Sequence, residues 1–165
     1  MRVAIFLLVL LFLPNAIFSQ EMTPEELVDI IKQEADTTDI QGNSLRFIFK
    51  ETMLICIYDE NANRMRIISP IIEREKIGEE ELLNALVANF HTALDVKYAL
   101  SDEIIWSVFA HPLKELTEAQ VVDAIYQVYA AALTFGGSYT STNLTFPGNT
   151  QKKEKPKLPK VLKKT

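Results

Sequence analysis

EEELLNALVANFHTALD at 79–95, running into VKYALSDEIIWSVFAHPL at 96–113, is the stretch on which the rest of the chain depends. Three glutamates open it, where the positive end of a helix dipole favours carboxylates. Leu82, Leu83, Leu86, Phe90 and Ala93 then recur at helical spacing and predict an apolar stripe facing a core. Beyond Asp95 the pattern turns to that of strands. Ser101-Asp102-Glu103 is a short polar break between the apolar runs 96–100 and 104–113, so an antiparallel hairpin is expected there. On its second arm Trp106, Val108 and Ala110 share one face, and Ile105, Ser107, Phe109 and His111 share the other.

Upstream, Thr23-Pro24-Glu25-Glu26 combines a capping threonine, a proline at the first helical position and a glutamate three residues after the cap. Leu27, Ile30, Ile31 and Ala35 continue it as a helix, and residues 37–44, with Gly42-Asn43, read as the loop that ends it. Three strands are expected next. Residues 45–50 alternate, with Leu45, Phe47 and Phe49 on one face. Residues 53–58 are apolar on both faces, which predicts a central strand covered on both sides or nearly so. In 64–72, Met65 and Ile67 oppose Arg64 and Arg66, and Pro70 marks an edge or strand end. Downstream, Thr117-Glu118-Ala119-Gln120 is a second capping box, opening a helix that Gly136-Gly137 stops. The expected architecture is α+β: an antiparallel five-stranded sheet with three helices in the order α-β-β-β-α-β-β-α.

A chain of 165 residues is one small domain's worth, and the two ends read differently from the middle. In 1–19, Arg2 precedes an unbroken apolar run at 3–13, Pro14-Asn15 breaks it, and Ser19 suits cleavage before Gln20. That is the pattern of a secretory signal peptide, and it implies an exported protein, periplasmic or secreted. The alternative is an uncleaved membrane anchor, although the apolar run is shorter than the ~20 residues that span a bilayer. The domain then occupies 20–140. Residues 141–165 end in QKKEKPKLPKVLKKT, which has too little apolar surface to offset the entropy of ordering it and is expected to be a disordered basic tail.

Net charge is −5, unevenly spread. Residues 20–150 hold nine Lys and Arg against 21 Asp and Glu, and residues 151–165 hold seven Lys against Glu154. The acidic body disfavours nucleic acid, while the basic tail suits anionic surfaces. Cys56, the one cysteine, lies in an apolar run, so an intrachain disulfide is excluded and a buried structural thiol is expected. No catalytic constellation, cofactor motif or clustered metal-ligand spacing stands out, so no cofactor or metal is assigned. Asn89, His91, Trp106 and His111 are the candidates for contact with a partner. A wide aromatic such as Trp106 on an uncovered face marks a binding surface. Were the chain an enzyme with an unrecognised site, His91, His111, Asn89 and Asp102 would be the nearest candidates, with Ser107 the arithmetical nucleophile.

ANFHTALDVKYAL at 88–100 and IIWSVFAHPLKELTEAQVVDAIYQVY at 104–129, in this element order, resemble the YbjN family of bacterial sensory transduction regulators and its related type III secretion chaperone-like fold. The resemblance spans 23–135 and transfers no functional residue. It implies a non-enzymatic binding or chaperone-like module that holds a protein or peptide partner. Apart from the resemblance, pairing of two copies is a further option.

Overall fold

The computed structural model of the chain describes residues 21–143. The expected signal peptide at 1–19 and all but the first three residues of the expected tail at 141–165 lie outside the described residues. Helix α1 (Pro24–Glu34) is followed by four strands, β1 (Thr37–Gln41), β2 (Ser44–Phe49), β3 (Thr52–Asp59) and β4 (Arg64–Glu73). A single 3₁₀ turn leads into α2 (Glu79–His91), then β5 (Lys97–Ser101), β6 (Ile104–His111) and α3 (Glu118–Thr134). The six strands form one antiparallel sheet in the order β1-β2-β3-β4-β6-β5. None of the described helices is long and apolar enough to cross a membrane.

The fold is α+β and antiparallel with three helices, as expected, but the sheet has six strands instead of five. The additional one is β1, within the segment read as a loop. Its five residues, TTDIQ, are all exposed, so no alternation of burial is written into the sequence. Gly42, at φ +61°, makes the tight reversal into β2 that a residue with a Cβ adopts with strain. Gly42-Asn43 therefore turns a hairpin instead of merely ending a helix.

Both capping boxes form. Thr23 Oγ1 accepts from Glu26 N at 3.2 Å and Thr117 Oγ1 accepts from Gln120 N at 3.3 Å, while the N3 side chains return the bond at 3.1 and 2.9 Å. One sheet face carries the core. Leu45, Phe47 and Phe49 of β2, Leu54 and Cys56 of β3, Met65 and Ile67 of β4, Phe109 of β6 and Tyr98 of β5 are buried there. Helix α3 lies over them: Ser107 Oγ donates to Val128 O at 3.0 Å, and the Tyr98 hydroxyl donates to Ala131 O at 3.0 Å. Leu27 and Ile31 of α1 close the layer from above; fully burying each such side chain stabilises by about 1.5–3 kcal/mol. Packing runs just past the expected boundary at 140, because Ser141 is buried and donates to Ala93 O at 2.8 Å.

Helix α2 departs from expectation in the face it turns inward. Ala85 and Ala88 are buried against the core, whereas Leu83, Leu86 and Phe90, expected in the inward stripe, are exposed together with Val87. Small residues let the helix axis come close to β5, which leaves the larger apolar side chains on the outer side.

Candidate functional site

Strand register decides what the sheet offers on its other face. Arg46, Ile55, Ile68 and Val108 stand side by side across β2, β3, β4 and β6, with Lys97 of β5 next in line. A neighbouring rank holds Ile48 against Met53, and Pro70 against Trp106 and Ala99. A third places Ser44, Ile57, Arg66 and Ala110 together. None of these positions is buried; the branched aliphatics are half-covered by one another, and Met53 is 43% exposed. An antiparallel sheet with one wet face ordinarily alternates apolar inward and polar outward. Here the wet face is apolar through its middle, which is the mark of an interaction surface.

This corrects the expectation for 53–58. The strand is central and apolar on both faces, but only the face bearing Leu54 and Cys56 is buried among the described residues. Trp106 lies on the open face, half-buried, with its indole Nε1 donating to Ser101 O at 3.1 Å. That bond ties the indole to the β5–β6 hairpin by its one polar atom.

The remaining candidates are dispersed. Asn89 is committed within the fold: its Nδ2 donates to Tyr98 O at 3.1 Å and its Oδ1 accepts from Tyr98 N at 2.7 Å. The amide thus takes the place of a neighbouring strand on the outer edge of β5. His91 is half-buried at the end of α2, edge-on to Phe90 with ring centroids 4.8 Å apart. His111 belongs to the helix-bearing face; its Nδ1 donates to Pro112 O at 2.8 Å and its ring stacks on Phe109. Ser107 is fully buried with its hydroxyl donated to Val128 O, and Asp102 sits in the β5–β6 turn accepting from Ser101 Oγ at 3.0 Å. Ser107 and His111 therefore lie at different points along β6, facing α3, and Asp102 lies at the far end of the hairpin from His111. Burial pushes the Cys56 thiol up to about 12, which makes it an inert packing group, as the apolar run around it led one to expect.

Two features escaped sequence reasoning. The outer face of α2 presents Leu83 (61% exposed), Leu86 (65%), Val87 and Phe90 (83%) as a contiguous apolar strip. Its helical period was legible, but not which side of the helix would face in. The other is the arginine placement on the open sheet face, visible only once register sets Arg46 and Arg66 on either side of β3.

No family model matches the chain, and no curated protein matches it. Among solved structures, a chain of the HopA1-SchA chaperone-effector complex is similar, with a TM-score of 0.53 and 13% sequence identity over 66% of this chain and 88% of that one. At that identity the likeness speaks for the architecture alone: three helices on an antiparallel sheet, the type III secretion chaperone-like fold.

Proposed function

We propose that this protein is an exported, non-enzymatic, chaperone-like module that holds a segment of a protein or peptide partner against the open face of its sheet. The observation that carries the reading is the apolar middle of that face, with Ile55, Ile68 and Val108 in one rank and Trp106 in the next. The likeness to a chain of a chaperone-effector complex and the sequence resemblance to the YbjN family support it. Export rests on the composition of 1–19. The dispersal of His91, His111, Asp102 and Ser107 favours binding over catalysis. A photo-crosslinking residue at Ile55, compared with one at Gln33 on α1, tests the surface in the producing cell. A discrete adduct from position 55 alone is expected; adducts from position 33 alone, or from neither, would refute it.

The exposed strip on α2 supports a second part of the proposal, association of two copies through that helix. The basic segment 151–165 is proposed to contribute electrostatically to binding. Deleting it is expected to weaken binding to anionic vesicles at low salt and leave the melting temperature unchanged; a large loss of melting temperature would make it a structural element instead.

A further inference from the structure

The residues 20–150 carry 21 carboxylates and only four arginines, yet three of those arginines, Arg46, Arg64 and Arg66, project from the open sheet face. Arg46 and Arg66 are exposed and form neither a hydrogen bond nor an ion pair with any described residue. The carboxylates on the same face are engaged locally. Asp39 stands opposite Arg46 in register without forming an ion pair with it and accepts from Gln41 Nε2 at 3.1 Å, and Asp59 accepts from Ala62 N at 2.9 Å in the β3–β4 turn. The protein thus keeps two uncommitted guanidinium groups beside its one broad apolar sheet surface, against the sign of the rest of the body.

Resting on the reading above, we propose that the segment held on this face is an amphipathic helix whose apolar side is flanked by carboxylates. Geometry selects a helix over a strand. The backbone groups of the inner strands are committed to ladder bonds, so a segment laid on the face finds no backbone partners and must satisfy its own polar groups internally. Strand pairing is available only at an edge. The apolar span from Met53 to Ile57 is roughly 14 Å at strand rise, which about nine helical residues match. Charge selects the flanks. Arg46 and Arg66 lie on either side of β3, offset along it by two residues, about 7 Å at strand rise, so they meet carboxylates on opposite flanks of the helix little more than one turn apart. The chain's own tail, with seven lysines, carries the wrong sign. A second copy docked face to face by a two-fold would set arginines against arginines.

The test uses the full chain, whose single tryptophan, Trp106, reports on this face. Two fluorescein-labelled helical peptides share a leucine face, one flanked by glutamates and the other by lysines; poly-uridylate and phosphatidylglycerol vesicles serve as other anionic probes. The glutamate peptide is expected to shift Trp106 emission and bind roughly tenfold or more tighter than the lysine peptide, with the preference fading at high salt. The double substitution Arg46→Glu and Arg66→Glu, both exposed, is expected to reverse the preference without changing the melting temperature. Equal binding of the two peptides, unchanged preference in the double variant, tighter binding of the polynucleotide or vesicle that shifts Trp106 emission and persists when 151–165 is deleted, or no binding of the glutamate peptide would overturn the proposal. The broader reading of the face fails only if the crosslinker at Ile55 is silent as well.

Discussion

Cys56 and Asn89 show how single side chains set the behaviour of this fold. An unfolded thiol ionises near its ordinary 9.0, whereas burial pushes Cys56 up to about 12. Between those values the unfolded chain releases a proton that the folded chain keeps. The contribution is therefore fully present below about pH 9 and is lost as pH rises toward 12, by at most ~1.4 kcal/mol per pH unit. The Tyr98 phenol, raised first of all by burial, acts in the same direction at higher pH. Urea melts from pH 8 to 11 should show this slope, and Cys56→Ala should flatten it; a wild-type slope unchanged in the variant would contradict the assignment. Asn89→Ala removes both bonds to the Tyr98 backbone. It is expected to cost about 1–3 kcal/mol, with amide exchange quickening at Tyr98 on the freed edge.

At the scale of elements, β1 and α2 mark where sequence reading stopped. The wholly exposed β1 exists because β2 offers it an edge to pair with, and no side-chain pattern announces that. Helix α2 was legible as a helix from its period, but its inward face was not, because Ala85 and Ala88 hide behind four larger apolar neighbours in any reading by hydrophobicity. Trp106 and the β5–β6 hairpin were legible because alternation and a polar turn coincide. That turn holds Asp102 at φ 50° and Glu103 at φ 56°, the left-handed region that disfavours a Cβ. Glu103→Gly should consequently stabilise by roughly 0.5–1 kcal/mol, read as a rise in the urea midpoint; a fall would mean that the Glu103 side chain supports the hairpin. For α2, Phe90→Glu should leave the melting temperature nearly unchanged and abolish association of copies in sedimentation velocity. A loss of several kcal/mol would place Phe90 in the core instead.

For the whole molecule, the central claim is that the helix-bearing face holds the fold together and the open face holds a partner. Alternation let the first half be read in advance, since Leu45, Phe47 and Phe49 fall on one face of a strand with Arg46 on the other. The second half depended on register: 53–58 looks equally apolar on both sides, and only the assembled sheet shows which side the described residues leave uncovered. Isoleucines report on both faces, with Ile48, Ile55, Ile57, Ile68 and Ile104 on or along the open one and Ile31, Ile67 and Ile125 in the core. Methyl NMR of the isoleucine-labelled chain, alone and with the partner recovered by crosslinking, is the most direct measurement. The open-face methyls should shift and broaden on binding while the core set stays in place; perturbation confined to residues beside α2 or the β1 edge, with Ile55 and Ile68 unmoved, would contradict the account.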